Sequence, residues 1–439
     1  MSSAERPLPA PLCDEDYPPL DGWRQDRTYG RRLGLSAALG FWRKALRRRG
    51  PGLGLYLHWP FCAERCSYCY CGCRVPAGEK EVERALLGLE REMVAFSPVF
   101  RGSAFSAAAV CGGTPTRASV PQLERLLGGL RARFSLNRGA DFGMEASPAT
   151  LDAARLAVLL KHGVGRVDLG VDSMDPAVLK RTGRRQTRAQ AEAACRLARR
   201  AGLRLEVGLM MGLEGQSTAS FLRDVLLALR QRPACLRLYA FEPRPQTAFA
   251  LSGKHVGAAR RAEMSTALAL AGRVALRAGY RSPDTGWGRP LSILGLGPSA
   301  SSHAFGGGWY STRASGAGCV YEGAPLTLLD EMRRCLISGL FCRGRVSVSD
   351  FRRLFGKDML NAGAVGKTVK RLLAEGKLEK TKGALSLNAD DPIQRQETIR
   401  QLYGEDIRKL LRKRMSASQE SKPTTPRPMD PPTAQVFIR

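Results

Sequence analysis

Leu53-Gly54-Leu55-Tyr56-Leu57-His58-Trp59-Pro60-Phe61-Cys62-Ala63-Glu64-Arg65-Cys66-Ser67-Tyr68-Cys69-Tyr70-Cys71-Gly72-Cys73 decides how this chain is read. Leu53 to His58 is a short apolar run of the kind that forms a buried strand. The loop after it carries five cysteines in twelve residues, and three are spaced Cys62-x3-Cys66-x2-Cys69. Thiolates bind iron–sulfur clusters, and a [4Fe–4S] cubane on three cysteines leaves one iron without a protein ligand. An open coordination position marks a catalytic metal site; a closed one is structural. A zinc knuckle would need a second ligand pair further along, and none stands out. A ferredoxin-like carrier would use a fourth cysteine, for which Cys71 or Cys73 is available.

The other seven of the twelve cysteines are scattered singly along 439 residues. One tight cluster in a long chain reads as metal binding in a reducing compartment, not as a disulfide framework. No charged start followed by an apolar stretch opens the chain, so no secretory signal is expected and the setting is read as cytoplasmic. No apolar run reaches 18 residues, so no membrane span is expected. With 44% hydrophobic and 25% charged residues, a sizeable core is available. The net charge of +29 favours anionic partners: nucleic acid, acidic lipid or a polycarboxylate substrate. An Arg-rich surface that serves only solubility accounts for it equally well.

Outward from the cysteine loop, strands and helices alternate. Strands are expected at Phe105–Val110, Asp141–Ala146, Val167–Val171, Leu203–Met210 and Leu236–Phe241, with Ser292–Leu296 closing the set. Helices are expected at Glu81–Phe96, Val120–Phe134, Leu151–Lys161, Arg188–Ala201, Phe221–Leu229 and Arg260–Ala278. This is the pattern of parallel βα units, and a partial TIM-type (β/α)6 barrel follows over residues 51–325. Such barrels carry function at the C-terminal ends of their strands, where the cysteine loop and Gly112-Gly113 both fall. Residues 1–50 read as an N-terminal extension, Pro-rich at first and then a basic amphipathic helix within Arg31–Arg49. Residues 326–400 read as a winged-helix-like domain of three helices and a hairpin. Residues 401–439 read as a helix end and a disordered tail.

The C-x3-C-x2-C spacing resembles the radical S-adenosylmethionine (SAM) signature. Tyr56-Leu57-His58-Trp59-Pro60-Phe61-Cys62 resembles the lead-in of the oxygen-independent coproporphyrinogen III oxidase and haem chaperone group. Gly112-Gly113-Thr114-Pro115-Thr116, Glu145-Ala146-Ser147-Pro148, Gly170-Val171-Asp172-Ser173-Met174, Gly212-Leu213-Glu214-Gly215-Gln216 and Gly295-Leu296-Gly297-Pro298 follow in that group's order. The resemblance implies a [4Fe–4S] cluster on Cys62, Cys66 and Cys69, with SAM chelating the open iron. One electron from the cluster then cleaves SAM to methionine and a 5′-deoxyadenosyl radical. It also implies that Tyr56, Gly112, Gly113, Thr114, Glu145, Asp172 and Arg184 surround SAM. In that reading Gly112 and Gly113 let the backbone approach the methionine group, and Arg184 holds its carboxylate.

Cys71 matches a fourth cysteine of the oxidase branch, and Cys73 is extra. Three positions depart from the oxidase: Cys111 stands for a third Gly, Asp172 for Gln, and Gly208 for an acidic residue. His303 follows the Gly295–Gly297 loop and is placed at the pocket. The function implied is oxidative decarboxylation of porphyrinogen propionates, which needs an anionic tetrapyrrole substrate and an electron donor. An oxidase-like radical SAM methyltransferase and a haem chaperone are the alternatives. Lys367, Lys370 and Arg371 would lie on a recognition helix, yet the group uses this region as a substrate cover, so nucleic acid is not the expected partner.

Overall fold

The computed structural model describes residues 31–403, apart from 49, 245, 281–290, 316–317 and 389–391, together with residues 436–438. The Pro-rich start and the basic run Lys409–Arg414 lie outside them.

A parallel array forms the centre: β2 (Gly52–Trp59), β3 (Ala104–Gly112), β4 (Ser135–Ala146), β5 (Arg166–Asp172), β6 (Arg204–Met211) and β7 (Cys235–Ala240) pair in that order, and β8 (Leu291–Leu296) pairs with the other side of β2. The strand residues explain why. In β5, buried Val167, Leu169 and Val171 alternate with Arg166, Asp168, Gly170 and Asp172. The apolar set packs under the crossover helices, and the polar set faces the inside of the curved sheet.

The helices start where their sequences allow. Ser119 and Gln122 make a reciprocal capping box at Val120–Arg133, and Thr187 with Gln190 does the same at Arg188–Arg200. Each expected βα helix is present, with ends shifted by only a few residues. β4 begins six residues earlier than expected, because Ser135 and Leu136 pair with Ala104 and Phe105 ahead of a register shift.

The barrel is partial, and Ser292–Leu296 does not close it. Beyond β8 the sheet continues antiparallel through β9 (Ser301–Ala304), β10 (Gly308–Ser315) and β11 (Gly318–Pro325) to β1 (Arg31–Leu33). Residues 301–325 alternate small and aromatic residues without strong apolar periodicity, which hid this meander. Residues 31–46 are thus no loose extension: β1 joins the sheet, and α1 (Leu35–Leu46) buries Ala38, Trp42 and Ala45 against it. The Trp42 indole donates to the Tyr310 hydroxyl at 2.9 Å. The tail also departs from expectation, since β15 (Val436–Ile438) pairs antiparallel with β7. A Val-Phe-Ile triplet has strong strand preference, and β7 offers an edge.

Past Pro325, a second apolar cluster is centred on Leu336, Leu340, Phe351, Val365, Val369 and Leu372. It is built from helices Leu328–Arg343, Val348–Phe355 and Gly363–Ala374 and a small sheet of β12 (Arg345–Ser347), β14 (Ala384–Leu387) and β13 (Leu378–Lys380). β12 is an extra strand beside the expected hairpin. No described helix is long and apolar enough to cross a membrane.

Trp42 is fully buried, so Trp42→Ala should cost about 3–5 kcal/mol of stability. Urea unfolding should show the lower midpoint, and Trp42→Phe should recover part of it while still lacking the bond to Tyr310.

Candidate functional site

The cysteine loop leaves β2 at its C-terminal end and is pinned by backbone hydrogen bonds from three sides. On its own stem, Cys62 N–H donates to Arg74 O and Arg74 N–H to Pro60 O, both at 3.0 Å. From β3, Gly113 N–H reaches Trp59 O at 2.7 Å and Thr114 N–H reaches Phe61 O at 2.8 Å. From further along, Ser67 N–H donates to Thr182 O and Phe249 N–H to Ser67 O, both at 2.9 Å.

The glycines make a close approach within the chain itself. A Cβ on Gly113 would lie 2.4 Å from Phe61 O, and one on Gly112 would lie 2.6 Å from the His58 ring. The close approach they permit is therefore to the chain's own loop and imidazole. Gly112 also sits at φ 111°, a conformation open to glycine alone.

The pinned loop gathers the sulfurs. Thr114 Oγ1 donates to Cys62 Sγ at 3.5 Å, Cys73 Sγ lies 3.4 Å from Cys62 Sγ, and Cys69 Sγ lies 3.8 Å from Cys73 Sγ. Cys66 stands apart, with Arg184 Nη1 at 3.8 Å from its Sγ. Thiol hydrogen bonds from Cys71 and Cys73 hold Cys69 down at about 3, and a bond from Cys73 lowers Cys62. Cys73, bonded to both Cys62 and Cys69, is raised; burial pushes Cys66 up to about 11.

These sulfurs fit a cluster better than an ion. Among the described residues, no three His, Cys, Asp or Glu side chains are placed to hold one metal ion. A cubane asks less convergence, since each thiolate binds a different iron. His58, buried and held near pKa 4 by desolvation, adds an Nε2 with no hydrogen-bond partner.

Arg184, mostly buried, is anchored by a network that the sequence only half revealed. Its guanidinium pairs with Asp172 at 2.8 Å, contacts Tyr68 Oη at 3.3 Å and Gln186 Oε1 at 2.9 Å, and donates to Gly170 O. Tyr68 also donates to Asp172 at 2.5 Å. Asp172 follows a register shift in β5 and has φ 61°, a bulge that turns its carboxylate toward Arg184. Asp172, where the oxidase has Gln, thus already neutralises the guanidinium expected to hold SAM's carboxylate. Tyr68 and Gln186 were missed; the signal for Tyr68 was an aromatic inside the Cys66–Cys69 spacing.

Tyr56 Oη and His58 Nδ1 are 2.9 Å apart, and Glu145 accepts from Gly112 N–H at 2.9 Å. Burial raises the Glu145 carboxyl to about 7. Below it the inner strand faces carry a network that period-two charges could have announced. Arg166 pairs with Asp168 and with Asp141 at 3.1 Å, Arg204 with Asp141 at 2.9 Å and Glu206 at 3.3 Å, and Arg237 with Glu206 and with Asp168 at 3.3 Å. Gly208 faces the Tyr239 ring, 3.5 Å from where a Cβ would be.

His303 is buried. Its Nε2 lies 3.0 Å from both Glu331 oxygens, and Gly306 N–H donates to the same carboxylate at 2.8 Å. These bonds tie the antiparallel strands to helix Leu328–Arg343. On the expected recognition helix, Arg371 is bound to Glu375 at 2.7 Å and Gln401 at 2.8 Å, while Lys367 and Lys370 are exposed.

Two outcomes follow for the cofactor-free chain. Asp172→Asn removes one partner of a nearly buried pair and should cost about 3 kcal/mol in denaturant unfolding. Glu145 keeps its proton in the fold to about pH 7, whereas the unfolded chain releases it near 4.5, so its contribution to stability falls as pH rises across that window. Glu145→Gln should match wild type at pH 4 and exceed it at pH 8 by as much as about 3 kcal/mol; equal pH profiles would refute the shift.

Residues 56–228 match the family model described as the radical SAM superfamily. The chain is 35% identical over 204 residues to the haem chaperone HemW of Escherichia coli, covering 45% of this chain and 53% of that protein. It is 30% identical over 203 residues to the oxygen-independent coproporphyrinogen III oxidase of the same organism, covering 46% and 44%. With the bovine mitochondrial radical S-adenosyl methionine domain-containing protein 1 it shares 32% over 235 residues, 52% of each chain. The chain thus spans about half the length of the curated relatives it matches. In fold, the E. coli coproporphyrinogen III oxidase structure superposes with a TM-score of 0.72 at 23% identity, covering 84% of this chain and 93% of that one. A three-cysteine loop at the strand ends and the partial barrel beneath it coincide with the matched segment: over residues 56–228 the chain is similar to the radical SAM superfamily, and among its relatives there are coproporphyrinogen oxidases and haem chaperones.

Proposed function

We propose that Cys62, Cys66 and Cys69 hold the [4Fe–4S] cluster that the superfamily implies, leaving one iron to SAM, and that the chain performs radical chemistry on a tetrapyrrole. The observation that carries this reading is the loop itself, pinned by β3 so that the ligand thiols share one strand end. When bound, the pair supplies one electron to SAM and a radical that abstracts hydrogen. This chain's own residues prepare the place: Thr114 donates to Cys62, and Arg184 sets positive charge beside Cys66. Glu145 keeps Gly112 in position, with its carboxyl largely protonated below pH 7. Tyr56 orients His58.

The reaction class we favour is that of the oxidase. Removal of a propionate hydrogen, followed by loss of CO2 and one electron, leaves a vinyl group; the electron needs an acceptor, and cluster reduction needs a donor. A basic chain suits a substrate with several carboxylates. Residues 51–325 would form the catalytic barrel and 326–400 its cover. A cytoplasmic setting would keep the thiols reduced. Nucleic acid and membrane are not proposed as partners. Haem carriage is the second reading, favoured by the 35% identity to HemW and by Asp172, which already engages Arg184.

Anaerobic reconstitution with iron, sulfide, SAM and dithionite should yield 5′-deoxyadenosine, and Cys62→Ala, Cys66→Ala and Cys69→Ala should each abolish it. Coproporphyrinogen III should then give a vinyl product. SAM cleavage without that product, combined with one haem bound per chain in an absorbance titration, would transfer the reading to haem carriage. Absence of any cluster would end the enzyme reading.

A further inference from the structure

Cys73 is the cysteine that neither the triad nor the oxidase-like fourth position absorbs, and its sulfur lies against two of the triad. Residues 61 and 74 form a β-bridge, closed by the bonds Cys62 N–H to Arg74 O and Arg74 N–H to Pro60 O. This clamp is backbone only and parallel, so it joins the two ends of the loop, and the nearness of Cys62 and Cys73 themselves is seen in their sulfurs. The other flank is fixed too. Gly72 has φ 58°, its N–H donates to Tyr70 O at 2.7 Å, and a Cβ there would lie 2.6 Å from Ser299 Oγ of the β8–β9 turn. Cys73 Sγ consequently sits between Cys62 Sγ at 3.4 Å and Cys69 Sγ at 3.8 Å, while Cys71 is exposed. A disulfide needs the sulfurs about 2.05 Å apart, and the Cys62 and Cys73 sulfurs start from 3.4 Å, already in contact.

We propose that Cys62 and Cys73 form a reversible disulfide when the cluster is absent, a redox modification site that withdraws one cluster ligand and so blocks loading. Hydrogen peroxide is the oxidant. One thiolate attacks the peroxide, breaking the O–O bond to give a sulfenic acid and one water. The second thiolate then attacks that sulfur, forming the S–S bond and releasing the oxygen as a second water. Two thiols and one peroxide become one disulfide and two waters. A small thiol reverses the step by exchange.

The loading half of this proposal rests on Cys62 being a cluster ligand; the disulfide half does not. The test uses the full-length, iron-free chain, treated with one equivalent of peroxide under anaerobic conditions and mapped by non-reducing peptide mass spectrometry. The expected result is a dominant Cys62–Cys73 cross-link, and uptake of iron and sulfide reduced at least about fivefold unless dithiothreitol is added first. Cys73→Ser, and Cys73→Ala as a second variant whose fold is checked by circular dichroism, should load equally with and without peroxide. Cys71→Ser should still behave as wild type. Cross-links joining mainly Cys62 to Cys69 or Cys69 to Cys71, no cross-link at all, or equal blocking of the Cys73 variants would overturn the proposal. If the reduced wild type takes up no iron, the cluster reading fails by itself, and the cross-link map still decides the disulfide.

Discussion

The contact between the end of β3 and the start of the cysteine loop is the constraint on which the rest depends. Gly113 lies against Phe61 so closely that no side chain fits, and two backbone bonds cross that contact. Because β3 is itself held in a parallel array, the loop inherits the rigidity of the sheet. Ligand thiols on a free loop would spend much of any cluster affinity on ordering the chain; here that ordering is complete before metal arrives.

How much of this was legible depended on periodicity. The βα half announced itself because buried parallel strands and amphipathic crossover helices have distinct spacings, and its elements lie close to where the sequence suggested. The antiparallel strands from Ser301 to Pro325 did not. Their Ser, Gly and aromatic residues carry little apolar alternation, and tertiary pairing decides their state. Helix Leu35–Leu46 read as an appendage because its burial depends on those hidden strands; the Trp42–Tyr310 bond joins two segments that a local reading cannot connect. At the site, residue types at fixed spacing, Cys62 to Cys69, were legible. Relations across the chain, such as Tyr68 with Asp172, were not.

Two departures from the oxidase pattern change charge. Asp172 brings a charge where the group has an amide, and the chain places Arg184 and Tyr68 on it. Gly208 removes a charge and lies beside the Tyr239 ring. At Asp172 the added charge is matched by Arg184 and Tyr68. Without that match it would leave an unpaired charge.

The paired charges on the inner strand faces bear on the chain's basicity. Arg166, Arg204 and Arg237 are matched there by Asp141, Asp168 and Glu206, and Glu145 holds its proton to about pH 7. The floor of the barrel is therefore close to electrically neutral, whereas the whole chain carries +29. The excess resides elsewhere, so an anion approaching this protein is drawn by its exterior field and meets a balanced interior once inside. Attraction and retention are thereby separated: long-range pull, weakened by salt, brings the anion in, and short-range contacts at the strand ends must decide whether it stays.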